Sequence, residues 1–454
     1  MCCLALRRRY CTSTGGAGVA KPVRLEKVTY PDGREINYDY GTAGAIDDIM
    51  SRLASIKDDD GSTVLASYKY LGAGRIVTED YEDIEVNLDY NANNNLGGLD
   101  RFGRVADQVW NDYGATPDVV LDRYTYTYDR VGNRLSRDNE LHAAFDEDYT
   151  YDNLDRLTDA DRADAFDQSW DLDGLGNWGS FDDDGTSQDR TVNQANEIQS
   201  ITGGWIAPDY DAAGNMISGP KPGDETTRVH YIYDAWNRLV EVRADDSGDP
   251  GALIATYSYD GLNRRIEKEV AAGAVDTHYY YNHDWQMLEE RQVDGAGATT
   301  EANQYVWSAR YIDSPILRFH DDNGDGDLLD AGDTTRYYTT AANHNVTAVI
   351  DAATGNVATY YTYTPYGQPT AHDPNWSNPA TPTEDGPLYC GYFLDAESAL
   401  YQVRNRYYDS SIGAFVSRDP IGYEGGDVNL YRYVFNAPAT YVDPFGLEPP
   451  VYIV

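Results

Sequence analysis

The sequence predicts an all-β protein built from repeated hairpins. A strand-turn unit recurs along the chain, tyrosines alternate with small residues inside it, and helical periodicity is nearly absent. Successive side chains of a strand point to opposite faces of a sheet. Each copy therefore forms a strand with one aromatic face, and we expect strands and turns throughout the chain.

Composition limits the function classes. The chain has 454 residues, with 76 acidic and 35 basic residues and a formal net charge of -41 at pH 7. This charge disfavours nucleic acid and anionic membranes as partners. Aromatic residues make up 13% of the chain, which is too much buriable ring surface for a disordered protein. No apolar run approaches the length of a membrane span and no signal peptide is visible, so we expect a folded, acidic protein.

The first part of the chain has little pattern. A basic run at residues 7–9 is followed by a glycine cluster at residues 15–18, and we expect residues 1–27 to form a flexible N-terminal tail. Looser copies of the repeat begin at residue 28 with VTYPDGREINYDYG. Residues 45–54 are a short helical candidate.

Clearer copies of the repeat begin at residues 124, 149, 210, 231 and 257, and they share tyrosine followed by aspartate. A variant copy, WDLDGLGNW, spans residues 170–178 and has leucine before its aspartate. The residue three positions after the aspartate is always of a type that tolerates left-handed backbone. These residues are Gly132, Asp155, Gly176, Gly214, Asn237 and Asn263. A type I turn followed by a left-handed residue is a common three-residue hairpin loop. We therefore predict hairpin repeats over residues 28–304.

The aromatic faces allow two interpretations. Rows of tyrosine such as Tyr124, Tyr126 and Tyr128 can stabilise a sheet by packing in the core and across strands. Exposed rings could instead stack on sugars, which would make the protein a cell-surface carbohydrate-binding or adhesion module. The spacing does not separate the two interpretations.

The repeat resembles the YD repeat of Rhs proteins, toxin-complex C components, bacterial wall-associated proteins and teneurins. Residues 305–447 resemble the Rhs repeat-associated core in three stretches, which are YVWSARYIDSPILR, RYYTTAANHNVTAVIDAATGNVATYYTYTPYGQPT and LYQVRNRYYDSSIGAFVSRDPIGYEGGDVNLYRYVFNAPATYVDPFGL. The resemblance implies a β-sheet spiral that forms a hollow shell and is closed by the core.

The resemblance also implies a role. In polymorphic toxins of this kind an effector follows the DPxGL motif and is enclosed by the shell. The expected partners are thus an enclosed effector or a longer shell protein, and the expected location is secreted or cell-envelope, with a role in cell-surface interaction or intercellular competition. Here only residues 448–454 follow the motif. We expect them to be a short tail without an effector domain, whose Pro449 and Pro450 break strand pairing.

The same resemblance implies an aspartyl-protease-like site that cuts after Leu447. Its carboxylates would be Asp419 and Asp443, with Arg406 as a nearby charge. Two close carboxylates that share one proton can supply both the base and the acid for peptide hydrolysis, and arginine can hold one of them ionised. The residues alone also fit a plainer interpretation, since Asp-Pro is typical of turns and Arg406 could pair on a sheet surface. Self-cleavage is the one enzymatic activity that we expect.

An acidic loop, DDNGDGDLLDAGD at residues 321–333, is a candidate calcium site. Asp321, Asn323, Asp325 and Asp327 occupy positions 1, 3, 5 and 7 of an EF-hand-type loop. Position 12 is Gly332, where a calcium loop needs a bidentate glutamate. A weak Ca²⁺ site and a solvated acidic loop both remain open, and no other cofactor is expected.

Overall fold

The computed structural model describes residues 8–11, 24–91, 96–162, 166–271, 273, 275–325, 328, 332–382, 386–447 and 450–452. Two long antiparallel sheets dominate this part of the chain, and two small sheets follow them. Strands lie in the sheets in the order in which they occur in the sequence, so each pairs with its neighbours along the chain. The all-β class and the hairpin architecture are confirmed.

The first sheet consists of sixteen described strands. They are β1 (Arg8–Cys11), β2 (Arg24–Thr29), β3 (Glu35–Asp39), β4 (Ser55–Lys57), β5 (Val64–Leu71), β6 (Arg75–Tyr81), β7 (Val86–Asp89), β8 (Asp107–Asp112), β9 (Val119–Tyr128), β10 (Arg134–Asn139), β11 (Glu147–Tyr151), β12 (Leu157–Arg162), β13 (Phe166–Leu172), β14 (Trp178–Asp183), β15 (Thr186–Val192) and β16 (Ile198–Ile201).

The second sheet has fourteen described strands. They are β17 (Asp209–Tyr210), β18 (Met216–Lys221), β19 (Asp224–Tyr233), β20 (Leu239–Asp246), β21 (Asp249–Tyr259), β22 (Arg265–Val270), β23 (Val275–Tyr281), β24 (Met287–Asp294), β25 (Thr299–Trp307), β26 (Pro315–His320), β27 (Thr334–Thr340), β28 (Val346–Asp351), β29 (Val357–Tyr363) and β30 (Pro369–His372).

Short elements complete the described chain. The two small sheets contain β31 (Gly386–Pro387), β32 (Phe393–Asp395), β33 (Leu400–Val403), β34 (Arg406–Asp409) and β35 (Ala414–Phe415), and then β36 (Tyr441–Val442) and β37 (Val451–Tyr452). Helix α1 (Ile46–Met50) lies inside the predicted helical stretch, and 3₁₀ turns occur at Ala143–Phe145, Tyr389–Gly391, Gly422–Gly425 and Val434–Asn436. Among the described helices, none is both long and apolar enough to cross a membrane.

The predicted flexible N-terminal tail is wrong in part. Residues 8–11 and 24–27 were expected in a flexible tail, yet residues 8–11 form β1, which pairs with β2, and residues 24–27 are the first four of the six residues of β2. Arg24 is buried there and makes an ion pair of 2.8 Å with Asp48. Residues 1–7 and 12–23 of that tail lie outside the described residues. The boundary predicted between repeats and core, at residue 304, falls inside β25, and it stays a prediction.

The turn of each repeat is organised by its aspartate. Asp129 Oδ1 accepts the backbone N–H groups of Val131, Gly132 and Asn133 at 2.9, 2.7 and 2.9 Å. The expected left-handed backbone is present at all six positions named above, with φ of 108° at Gly132, 61° at Asp155, 78° at Gly176, 86° at Gly214, 60° at Asn237 and 67° at Asn263. The predicted hairpin loop is confirmed.

The fifth residue of the turn links one hairpin to the next. Arg156 Nε donates to Asp152 Oδ2 at 2.7 Å, and its Nη1 donates to the carbonyl of Asp173 at 2.5 Å. Arginines 104, 238 and 264 bridge consecutive turns in the same way, and Asn133, Asn177 and Asn215 do so through their amides. A ladder of side-chain hydrogen bonds therefore runs along the edge of the sheets where the turns lie.

Tyrosines of the repeats stabilise the hairpins from inside. Tyr124 and Tyr126 are 2% and 4% exposed. In three repeats the tyrosine before the aspartate donates its hydroxyl to a carbonyl of the preceding hairpin, as Tyr128 does to Val105 at 2.8 Å, Tyr151 to Arg134 at 2.7 Å and Tyr259 to Leu239 at 2.6 Å. Tyr233 instead donates to the carbonyl of Val416 at 3.4 Å. The packing interpretation is correct for these side chains, because a buried ring cannot stack on a sugar.

The middle of the second sheet lies between two other layers. On one face, Tyr337 packs against Tyr81 of the first sheet, with ring centroids 5.2 Å apart. On the opposite face, Tyr305 packs edge-on against Phe393 of β32 at 5.3 Å. Phe393 of β32 thus lies on the side of the second sheet that faces away from the first sheet, whereas Trp376, after β30, stacks on Tyr360 at 4.1 Å on the side that faces it.

The C-terminal segment also contacts the row of turns. Carbonyls of Gly132, Gly176 and Gly214 accept hydrogen bonds from Tyr452, Asn436 and Tyr431 at 3.1, 2.7 and 2.7 Å. A Cβ at each of these glycines would overlap a side chain of the C-terminal segment. Glycine is therefore required at these turns for two reasons, the left-handed backbone and the close approach of the core.

Candidate functional site

Arg406 is positioned by a tight hairpin. Strands β33 and β34 are joined by the two residues Arg404 and Asn405, and Arg406 begins β34 opposite Val403. The Arg406 side chain is almost fully buried and its guanidinium lies 3.5 Å above the ring of Phe415. Stacking on an aromatic face fixes the plane of the guanidinium.

The three side chains predicted for the site converge. Arg406 Nη2 lies 3.3 Å from Asp443 Oδ2 and 3.6 Å from Asp419 Oδ2. Asp443 is fully buried and Asp419 is 7% exposed. Two carboxylates therefore meet one nitrogen of one guanidinium in a site that excludes most water.

Each aspartate also organises a turn, through its other oxygen. Asp443 Oδ1 accepts the N–H groups of Phe445 and Leu447 at 3.3 and 3.0 Å. Asp419 Oδ1 accepts the N–H of Ile421 at 2.9 Å. The turn interpretation of the two Asp-Pro pairs and the convergence on Arg406 are thus both correct, because Oδ1 serves the turn and Oδ2 faces the arginine.

The environment favours a proton on Asp443. Burial raises the pKa of Asp443, and the nearby carboxylate of Asp419 raises it further, whereas Arg406 and the N–H groups of Leu447 and Phe445 lower it. The net shift of the pKa is upward from its usual value. A carboxyl group with a raised pKa can donate a proton at a pH where an exposed aspartate cannot.

The segment that ends at Leu447 is held rigidly against this site. Arg406 Nε donates to the carbonyl of Gly446 at 2.6 Å, and Asn405 donates to the carbonyl of Phe445 through its amide at 3.0 Å and its backbone N–H at 3.3 Å. Gly446 has φ of 62°, and a Cβ there would overlap the carbonyl of Val403. The predicted cleavage point follows directly, but Glu448 lies outside the described residues.

Three further residues support the site, and the sequence analysis missed them. Arg404 makes an ion pair with Asp313, donating from Nη1 at 2.9 Å, and also donates to the carbonyl of Pro444. The hydroxyl oxygen of Tyr392 accepts the N–H of Asp443 at 2.9 Å. Arg404 could have been suspected from its place beside Arg406, but Asp313 and Tyr392 have no local signal in the sequence.

The tail differs from its prediction. Val451 and Tyr452 form β37, which pairs antiparallel with Val442 and Tyr441 of β36. The expectation that Pro449 and Pro450 prevent strand pairing is wrong for these two residues, because pairing resumes immediately after the second proline. Pro449 itself lies outside the described residues.

The acidic loop is described only in part. Asp321 is 1% exposed and its Oδ1 accepts the N–H of Gly324 at 2.6 Å, whereas Asn323 and Asp325 are exposed. Asn323 Oδ1 accepts the N–H of Asp325 at 2.9 Å. Asp327, the fourth predicted ligand, lies outside the described residues. Calcium binding by this loop stays a prediction.

A second acidic group was not anticipated. The carboxylates of Asp159, Asp161 and Asp167 come within 4.8 Å of one another on β12 and β13. Partial burial and the two neighbouring carboxylates raise the pKa of Asp159. Exposed acidic groups commonly occur without a metal, so this cluster is not assigned as a site.

The chain is similar to several known toxin proteins, although no family model matches it. It is 26% identical over 408 residues to toxin protein Tse5 of Pseudomonas aeruginosa, covering 85% of this chain and 27% of that protein. It is 25% identical over 369 residues to double-stranded DNA deaminase toxin A of Burkholderia cenocepacia, covering 76% of this chain and 23% of that protein. It is 29% identical over 241 residues to the probable deoxyribonuclease RhsA of Dickeya dadantii, covering 52% of this chain and 15% of that protein.

Solved structures share the fold. The crystal structure of TcdB2-TccC3 superposes with a TM-score of 0.71 at 21% sequence identity, over 93% of this chain and 21% of that chain. The chain thus spans about a quarter or less of the length of these relatives.

Proposed function

This chain is a member of the Rhs/YD-repeat family, and from that premise we propose that it forms part of a toxin-associated β-shell whose core cleaves its own chain after Leu447. The observation that carries the proposal is the contact of Arg406 with both Asp419 and Asp443, beside a segment that is pinned up to Leu447.

The shell role is supported by the similar proteins. Relatives are named as toxins and nucleases, and one structural neighbour is the Photorhabdus luminescens Tc holotoxin pore. The partner of this chain would be an enclosed effector, or the remainder of a longer shell. The site of action would lie outside the producing cell, in competition between cells.

The proposed reaction is hydrolysis of the peptide bond between Leu447 and Glu448. Asp419 takes a proton from water, the water oxygen attacks the carbonyl carbon of Leu447, and Asp443 gives its proton to the leaving nitrogen of Glu448. The C–N bond breaks and a C–O bond forms, so Leu447 ends as a carboxylate. The upward shift of the Asp443 pKa supports its role as the acid.

Arg406 would orient both carboxylates and the substrate. Its Nη2 contacts the two aspartates while its Nε holds the carbonyl of Gly446, which belongs to the peptide bond before Leu447. One side chain thus sets the position of the catalytic groups relative to the bond that is cut. Such positioning supplies much of the rate enhancement in enzymes.

Intact mass measured under denaturing conditions tests self-cleavage. Wild-type protein is expected to lose residues 448–454, whereas Asp419→Asn and Asp443→Asn are expected to retain them. Asp427→Asn is the matched control, since Asp427 is a buried core aspartate that pairs with Arg432 at 2.7 Å and does not share the Arg406 contact. Retention of the last seven residues in folded wild-type protein would overturn the proposed cleavage.

A further inference from the structure

The residues that follow the predicted cleavage point are bound to the body of the protein. Strand β37 pairs with β36, with Tyr452 opposite Tyr441 and Val451 opposite Val442. The rings of Tyr452 and Tyr441 meet edge to face, with centroids 5.6 Å apart and an interplanar angle of 71°. Addition of a strand through backbone pairing is one of the recurring ways in which a protein binds an extended peptide.

A turn of the first sheet provides the rest of the contact. The Tyr452 hydroxyl donates to the carbonyl of Gly132 at 3.1 Å. A Cβ at Gly132 would overlap the Tyr452 hydroxyl, so the missing side chain makes room for the phenol. Burial raises the pKa of Tyr452, with Arg104, Tyr128 and Asp129 as the charged or titratable groups around it besides Tyr441.

The chain is therefore held on both sides of the proposed cleavage point. On the upstream side, Arg406 and Asn405 hold the carbonyls of Gly446 and Phe445. On the downstream side, the contacts of Tyr452 begin five residues after Leu447. Binding a substrate on both sides of the reacting bond limits its motion toward unproductive geometries.

We propose that β36 and the turn at Gly132 form a substrate-binding subsite, which recognises an extended segment with a tyrosine five positions after the cleavage point. Its role in cleavage rests on the self-cleavage proposed above. The subsite selects the downstream sequence and holds that segment in place before the peptide bond is cut. Each hydrogen bond contributes little on its own, but the effective concentration of a segment that is still part of the same chain makes so small a contact sufficient.

Hydrogen exchange tests the subsite without requiring cleavage. The full chain carrying Asp419→Asn is the uncleaved background, and Tyr452→Ala is added to it. We expect the amides of residues 441–442 and 451–452 to exchange about tenfold faster when the anchoring ring is lost. Tyr452→Phe, which removes only the hydroxyl, should have a smaller effect. Gly132→Ala, which fills the space for the hydroxyl, is expected to act like Tyr452→Ala.

Cleavage kinetics in the otherwise wild-type chain provide the second measurement. Tyr452→Ala should slow formation of the 1–447 product about tenfold, the factor expected for loss of a contact worth about 1.4 kcal/mol. Trp236→Ala removes an aromatic ring that is 74% exposed at another turn, and it should change neither exchange nor cleavage.

Different experimental results would overturn the subsite and the self-cleavage. Exchange that does not change in Tyr452→Ala would overturn the subsite, whatever the cleavage rate. Wild-type protein that never cleaves, but whose exchange depends on Tyr452, would overturn self-cleavage and support the subsite as a peptide-binding surface.

Discussion

Arg406 Nη2 lies 3.3 Å from Oδ2 of Asp443, and both side chains are essentially removed from solvent. The same nitrogen is 3.6 Å from Oδ2 of Asp419, so one cation faces two buried carboxyl groups. Removing one partner of a buried ion pair typically costs about 3–5 kcal/mol, because the remaining charge is left uncompensated.

We therefore expect Arg406→Met to lower the free energy of unfolding of the core by about 3–5 kcal/mol. Much of this loss should be recovered when Asp419→Asn and Asp443→Asn are added, since no buried carboxylate then needs a counter-charge. Urea unfolding of the four combinations measures the effect. Equal losses with and without the two aspartates would contradict an electrostatic role for Arg406.

The hydrogen-bond ladder predicts a different effect for two arginines in consecutive turns. Arg156 bridges Asp152 and the carbonyl of Asp173, whereas Arg130 is exposed at the preceding turn. Arg156→Ala should cost about 1.5–3 kcal/mol, the range for hydrogen bonds to charged groups. Arg130→Ala should change stability by less than about 0.5 kcal/mol. Thermal unfolding of both variants tests this, and equal midpoints would count against the ladder.

A substitution at Gly176 tests whether glycine is needed there for its left-handed backbone or for its close contact with the core. Asparagine tolerates left-handed backbone, and Asn263 adopts it with φ of 67° in an equivalent turn. Gly176→Asn should still destabilise the protein by about 1–3 kcal/mol, because its side chain would overlap Arg432 and Asn436. Asn263→Gly is the reciprocal control and should cost less than about 1 kcal/mol. Faster proteolysis within residues 386–447 in Gly176→Asn would locate the damage at the core, and an unchanged protein would refute the close contact.

The local part of this fold could be read from the sequence. Tyrosine alternation, the aspartate and the left-handed residue three positions later each act within a few residues, so they predict a hairpin without knowledge of the rest of the chain. The ladder through Arg156 was missed because its partner, the carbonyl of Asp173, belongs to the next turn and has no residue type to recognise.

The candidate site was predictable only where local chemistry or family resemblance marked it. The meeting of Asp419, Asp443 and Arg406 depends on how separate turns pack, which spacing alone does not determine. Asp313, 91 residues from Arg404, gives no local hint of its contact. The pairing of Tyr452 with Tyr441 was missed because the expected effect of the prolines was extended too far along the chain.

Calcium is expected to stabilise the protein weakly through the loop at residues 321–333. A loop without the bidentate closing ligand should bind in the millimolar range, and 10 mM Ca²⁺ would then add about 1.4 kcal/mol if the dissociation constant were about 1 mM. Thermal unfolding with Ca²⁺, with Mg²⁺ and after chelation measures this effect. Asp321→Asn should abolish the shift and Asp161→Asn, in the other acidic cluster, should leave it intact. An equal midpoint with and without Ca²⁺ would reject the site.

Asp122 predicts how stability depends on pH. This carboxylate is 1% exposed on β9 and accepts the hydroxyl of Thr347 from the second sheet at 2.5 Å. Burial raises the pKa of Asp122 to about 6. The native state then binds the proton more tightly than the unfolded chain, whose aspartate pKa is about 3.9. The protonated Asp122 carboxyl contributes stability that is fully present below about pH 4 and is lost as the pH rises through about 6. The free energy of unfolding then changes by roughly 3 kcal/mol.

Asp122→Asn should therefore be more stable than wild type at pH 7.5 by up to about 3 kcal/mol, because asparagine stays neutral and still accepts the Thr347 hydroxyl. This advantage should shrink as the pH is lowered toward 5. Unfolding midpoints of both proteins across pH 5–7.5 test the sign and the window. Asp118→Asn, at an exposed position nearby, should follow the wild-type pH dependence. Parallel curves for Asp122→Asn and wild type would show that Asp122 does not titrate in this range.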